Sequence, residues 1–320
     1  MKLCIITEGG VEKGFGHIKR MLYLANILRN RGHEVHFLIE SNDIIRAKIL
    51  EENFSVIVKR GIKELKKFDQ VNAFIIDKGD VETELTFFIR NETNARLIIF
   101  GNISDANKYA HLVINSVIGS SAQNCIKKDE KTSTLFMQGP KYALLGEDFL
   151  ARRDSHIRRG DLKKILLLFG GSDPSNLTYT VCKQLQHEND WRITLCIGPL
   201  FSHIESLNEI CENHFEDKFH IVRESAKVYE LMLDNDILIT SPGNTLLEAF
   251  CIGIPVIAFY QNSFQKDAFE KFPAVHNNEE IGNLKELINK TYKDFGVQRK
   301  IYKELEVGKG IIEIINSIEE

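Results

Sequence analysis

Short continuous apolar runs alternate with amphipathic stretches along most of the 320 residues. The first run, Leu3-Cys4-Ile5-Ile6, does not alternate with polar positions, so residues 1–7 are predicted to form a strand buried on both faces. It breaks into a glycine-rich loop, Glu8-Gly9-Gly10 through Gly14-Phe15-Gly16-His17. Met21, Leu22, Leu24, Ala25 and Leu28 then recur at helical spacing until Gly32, behind Arg29 and Arg31, supplies a stop. The same alternation predicts strands over residues 34–39, 55–58, 73–76, 96–100, 112–114 and 135–137. A turn-rich segment (139–147) and a basic, charged run (151–164) read as a linker. The pattern restarts with strands over 165–169, 193–197, 219–222, 237–240 and 255–260, and residues 284–318 read as helices.

Strands separated by helices throughout predict the α/β class. The expectation is two doubly wound, Rossmann-like domains, residues 1–150 and 151–320, with the terminal helices counted in the second. Such domains face each other across a cleft at the carboxyl ends of their strands, where open α/β sheets bind nucleotides. Three loops should line it: residues 9–17, 170–176 and 241–245.

Composition narrows the classes of function. Hydrophobic residues make up 43% and charged residues 27%, as in a globular, soluble protein, and the net charge of -4 argues against a general grip on nucleic acid. No apolar run approaches the ~18 residues that span a bilayer. The first run is too short for a signal peptide, so a cytoplasmic monomer without a membrane or nucleic-acid partner is expected. The six cysteines contain no Cys-x-x-Cys pair and several sit in apolar runs, which favours reduced core thiols over disulfides or a metal site.

The chemistry concentrates in the loops. His17 falls at a helix N-terminus beyond the first strand. Imidazole titrates near neutrality, and a helix N-terminus favours its neutral form, so His17 suits a general base; a surface histidine would also fit the position. Gly14 and Gly16 match half of a dinucleotide fingerprint but Lys19 stands where the third glycine belongs. Gly170-Gly171-Ser172, leading to Asn176, lets backbone N–H groups approach an anion, or forms a plain turn. It lacks the Gly-Lys-Ser/Thr ending of a P-loop. Ser241-Pro242-Gly243-Asn244-Thr245 forms a second candidate phosphate cradle. Glu248, one helical turn past Thr245, could accept both hydroxyls of a ribose or close a Thr-x-x-Glu capping box. Asp234-Asn235-Asp236 precedes a strand and should lie away from the cleft, as a solvated turn. His33 and His36 should point to opposite faces of a strand, and no metal is expected.

With these motifs in order, Gly14 to Arg20, Gly139 to Leu145 with Phe149, Phe169 to Thr178, Ser241 to Glu248 and Gln261-Asn262, the chain resembles the GT-B-like enzymes of the MurG and SpsG type. Among them it resembles the PseG-type UDP-sugar hydrolases of pseudaminic acid biosynthesis. The resemblance implies UDP in the second domain, with Gly171, Ser172, Asn176, Ser241, Gly243, Asn244 and Thr245 near the phosphates and Glu248 at the ribose. His17 would act at the sugar, Asn262 would position sugar or water, and Gly14, Gly16, Arg20 and Asp77 would lie on the sugar side. The implied reaction is attack of water at the anomeric carbon with inversion and loss of UDP, without a cofactor. Transfer of the sugar to an acceptor would need the same base. One position departs: the family places a tyrosine two residues after the aspartate that corresponds to Asp77, where this chain has Gly79, so that Lys78 or Asp80 would have to serve, or the sugar differs.

Overall fold

The computed structural model describes residues 1–10, 15–40, 43–58, 65, 70–117, 123–212, 218–225 and 227–320. They divide into two compact units, residues 1–146 with 308–320, and residues 147–307.

In the first unit the described strands are β1 (Lys2–Thr7), β2 (Glu34–Ile39), β3 (Ser55–Val58), β4 (Ala73–Asp77), β5 (Arg96–Phe100), β6 (Leu112–Asn115), β7 (Cys125–Lys128) and β8 (Leu135–Gln138), with helices α1 (Gly16–Asn30), α2 (Asp43–Glu51) and α3 (Thr83–Glu92) between them. They form one sheet in the order β3-β2-β1-β4-β5-β6-β8-β7. The order reverses between β1 and β4, which makes the loops after these two strands the expected place for a ligand. The apolar runs are central because both faces of the sheet are covered: β4 and β6 are buried along their whole length. Strand β7, absent from the sequence pattern, runs antiparallel to β8. As an edge strand with Ile126, Lys127 and Lys128 exposed, it has no buried face to leave a periodic signal.

The second unit contains α4 (Glu147–Ala151), β9 (Lys164–Leu168), α5 (Leu177–Leu185), β10 (Arg192–Ile197), α6 (Ile204–Glu212), β11 (Phe219–Arg223), α7 (Val228–Asp234), β12 (Ile237–Thr240), α8 (Asn244–Ile252), β13 (Val256–Phe259), α9 (Ser263–Phe269), β14 (Val275–His276), α10 (Leu284–Lys293) and α11 (Phe295–Glu304). Its parallel sheet has the order β11-β10-β9-β12-β13-β14, reversing between β9 and β12. The Thr240 hydroxyl donates to the Leu168 carbonyl at 2.6 Å and ties the ends of these two strands together.

The terminal helix corrects the expected division of the chain. Helix α12 (Ile311–Glu319) belongs to the first unit, not to the second. It buries Ile314, Ile315 and Ile318, and Arg96 donates to the Ser317 and Ile318 carbonyls at its C-terminal end. The Gly139-to-Leu145 motif receives it. Gly308 and Gly310 N–H donate to the Pro140 and Lys141 carbonyls, and Tyr142 Oη donates to Glu313. A segment that reads from sequence as linker thus anchors the returning chain. None of the described helices is long and apolar enough to cross a membrane.

Candidate active site

His17 is the second residue of α1, a helix whose first turn has no acidic residue and no side-chain cap. Its Nδ1 lies 2.8 Å from Oδ1 of Asp77, the last residue of β4, and the Asp77 side chain is fully buried. Arg20, one turn along α1, donates through Nε to Asp77 Oδ2 at 2.5 Å and through Nη2 to Oδ1. Burial alone would push the Asp77 carboxyl up, but Arg20 and His17 outweigh it and hold it down at about 2. The guanidinium is correspondingly raised: its burial opposes the charge, and Asp77 wins. An ionised oxygen facing Nδ1 can only accept, which assigns the imidazole proton to Nδ1 and leaves the lone pair on Nε2. Arg20 Nη2 also lies 3.0 Å from Nδ1; with the proton so placed, both are donors turned to one carboxylate oxygen. A carboxylate that fixes the tautomer of a histidine is the orienting half of an acid–base pair.

The surroundings of Gly79, where the PseG-type resemblance expects a tyrosine, are filled by other side chains. Lys78 is not available, because its buried ammonium is held by Glu40 at 2.9 Å and Glu82 at 3.0 Å. Its burial works against the charge, yet the two carboxylates raise its pKa. Asp80 is exposed. Glu8, to which the sequence assigned no role, is 7% exposed at the end of β1 and accepts the Gly79 N–H at 2.8 Å. A Cβ at position 79 would press on Glu8 Oε1 at 3.3 Å, so the carboxylate takes the room a side chain there would need. Gly16 opens α1; Gly14 lies outside the described residues.

In the second unit the loops after β9, β12 and β13 are laced together. Gln261 Nε2 donates to the Phe169 carbonyl at 2.8 Å and to Ser241 Oγ at 2.9 Å, and Ser175 Oγ donates to the Gln261 carbonyl. The two candidate phosphate loops differ at their helices. The N-terminus of α5 is already closed: buried Asp173 accepts the N–H groups of Leu177 at 2.9 Å and Thr178 at 2.8 Å. Asn176 sits there in a left-handed conformation, its Oδ1 buried without a partner among the described residues. The N-terminus of α8 has no such cap. Its N-cap is Gly243, which has no side chain to cap with, and no acidic residue lies in that turn. An anion is therefore favoured at α8 more than at α5. The cap at Gly243 also removes the Thr-x-x-Glu capping box, because Thr245 is the second residue inside the helix. Half-buried Glu248 therefore lies in the second turn of α8, and Asn244 and Thr245 open the first. Asn262 is exposed, and its Oδ1 accepts Gln265 N–H at 2.8 Å as the N-cap of α9, which leaves only its Nδ2 for a ligand.

One support of this site has no sequence signal. A Cβ on Gly198 would lie 2.4 Å from the Gly171 carbonyl and 2.5 Å from its Cα. Gly198→Ala should force the Gly171 turn outward and destabilise the second unit by about 1–3 kcal/mol, the usual range for overpacking. Urea unfolding read by Trp191, buried in that unit's core, checks this; a variant as stable as the parent would contradict it.

The metal-like patterns have ordinary explanations. Asp236 is buried rather than solvated, as had been expected, and its Oδ2 accepts the N–H groups of Lys163 and Lys164 at 2.9 and 2.8 Å. His33 pairs with Glu319, and His36 with Glu34 and Ser55.

No family model matches the chain. An uncharacterized protein of Methanocaldococcus jannaschii is 36% identical over 99% of this chain and 66% of its own length, so the chain spans just under two thirds of that relative. The spore coat polysaccharide biosynthesis protein SpsG of Bacillus subtilis is 27% identical over 85% of this chain and 81% of SpsG. Among solved structures, MurG of Acinetobacter baumannii superposes with a TM-score of 0.65 at 12% identity over 99% of each chain. HepE of Anabaena in complex with UDP-glucose gives 0.62 at 13% identity, over 99% of this chain and 98% of HepE. With two Rossmann-like parallel-sheet units aligned over nearly its whole length, the chain has the MurG-like GT-B fold.

Proposed function

We propose that the protein acts on a UDP-linked sugar in surface-glycan biosynthesis, the second unit holding UDP and the first supplying the base that activates the attacking hydroxyl. The observation that carries this is the His17–Asp77 contact, which puts the imidazole proton on Nδ1 and the lone pair on Nε2. UDP is a good leaving group, and the uncapped N-terminus of α8 with Ser241, Asn244 and Thr245 would stabilise the charge it gains. Gly171 and Ser172 would approach the diphosphate through backbone N–H groups, with Asn176 behind them. The likeness to SpsG and to HepE, a protein solved with UDP-glucose, supports a nucleotide-sugar substrate.

The first reading of the reaction is hydrolysis with inversion: His17 Nε2 takes a proton from water as the oxygen attacks the anomeric carbon, and the bond to UDP breaks. The sugar would be a deoxy-amino sugar of the pseudaminic type. Transfer to an acceptor hydroxyl is the second, and the glycosyltransferase-like fold favours it. The protein incubated with a panel of UDP-sugars and no acceptor separates them. UDP release at enzymic rates supports hydrolysis, and release only after an acceptor is added supports transfer. No release in either case, with UDP bound tightly, would make the protein a binder.

Glu248 is assigned to the ribose. Glu248→Ala should weaken UDP binding by roughly 1.5–3 kcal/mol, the range for a hydrogen bond to a charged group. A variant that melts earlier yet binds UDP as the parent does would remove Glu248 from the ribose.

A further inference from the structure

Gln261 lies on neither candidate phosphate loop, yet its side chain reaches both, through the Phe169 carbonyl and Ser241 Oγ. The two contacts fix the amide's orientation. A carbonyl only accepts, so the group 2.8 Å from Phe169 O is the NH2, and its second proton points at Ser241 Oγ. Ser241 is 7% exposed and stands at the end of β12, just before the uncapped N-terminus of α8. Having accepted from Gln261, its hydroxyl must send its own proton elsewhere, and no acceptor for it exists among the described residues. The backbone of Gln261 is held as well: its N–H donates to Gln265 Oε1 at 2.8 Å and its main-chain carbonyl accepts from Ser175, while the side-chain Oε1 is buried without a partner among the described residues.

We infer that Gln261 is a positioning residue that sets Ser241 as a hydrogen-bond donor to an anionic oxygen of the ligand. This rests on the reading that the second unit holds a nucleoside diphosphate. A serine hydroxyl is a rotor that can donate or accept; an amide N–H directed at its oxygen removes one option and turns the proton toward the bound anion. The bond thereby links the β13 loop to diphosphate recognition without touching the ligand. It discriminates by chemistry: an anionic phosphate oxygen gains from a preset donor, whereas the uridine part, assigned to Glu248, does not feel it.

The test is titration of UDP and of uridine into the wild-type protein, Gln261→Met, Ser241→Ala and the double variant. Gln261→Met keeps the length of the side chain and removes its donors. Each single variant should lower UDP affinity about tenfold, the value of one hydrogen bond to a charged group, with uridine affinity unchanged. The double variant should be no weaker than Ser241→Ala alone, because the two residues act through one proton. Gln261→Glu, the same shape with reversed polarity, gives a second reading: its carboxylate draws the Ser241 proton away and should weaken UDP further, again sparing uridine. UDP affinity equal to wild type in Gln261→Met and Gln261→Glu would overturn the inference. So would equal losses for UDP and uridine, or penalties that add in the double variant. Wild-type protein that binds no UDP would overturn the diphosphate reading itself, a result distinct from all of these.

Discussion

Turnover of a UDP-sugar should fall at least about 10²-fold in His17→Asn, the lower end of what a general base contributes, while UDP affinity stays near the parent's. Asparagine keeps a polar group of similar reach at the start of α1 but cannot take a proton. The selectivity follows from where the two tasks sit: the proposed UDP contacts are in residues 147–307, and His17 belongs to the unit built from residues 1–146 and 308–320. Near-normal turnover in the variant would remove His17 from the reaction and turn attention to Glu8, the other buried acid at this edge.

The second large effect is on stability. Asp77→Ala should destabilise the first unit by about 3 kcal/mol or more, because it strands the Arg20 guanidinium, 19% exposed, without its carboxylate. The charge of Asp77 also makes that unit acid-sensitive in a defined window. Its folded value of about 2 lies below the ordinary carboxyl value of about 3.9. The stabilisation is therefore complete above about pH 4 and is lost as pH falls through about 2, a contribution of about 2–3 kcal/mol. Urea unfolding followed by circular dichroism at pH 5 and near pH 2.5 should show this loss in the parent but not in Asp77→Asn. Trp191 fluorescence, which reports on the second unit, serves as the control. An identical acid loss in the variant would contradict the role given to the buried carboxylate.

The strands were legible where the sheet is buried on both sides, since Ile5, Ile75 and Ile98 lie in continuous apolar runs with no exposed face to interrupt them. Two of the four edge strands were not: β7 has mostly exposed side chains, and β14 is two half-buried residues. Helix α12 was visible as a helix, but its unit was not, because local pattern carries no information about which sheet an apolar face will meet. Within the site, His17 and the loops at Gly171 and Ser241 were readable from glycine and hydroxyl residues following strands. The bonds that give them their properties were not. Asp77 meets His17 across 60 residues, Glu8 meets Gly79 across 71, and Gln261 meets Phe169 across 92. The opposite states of the two helix N-termini also depend on side-chain placement: Asp173 reads equally well as a turn residue until its carboxylate is found on the α5 amides.

Calorimetric titration of UDP into three proteins, wild type, Glu248→Ala and His17→Asn, separates the proposed UDP site of the second unit from the proposed base of the first. The expected result is one UDP per chain, affinity reduced about 10- to 100-fold in Glu248→Ala, and affinity close to wild type in His17→Asn. Absence of UDP binding, or binding abolished by His17→Asn and untouched by Glu248→Ala, would contradict it.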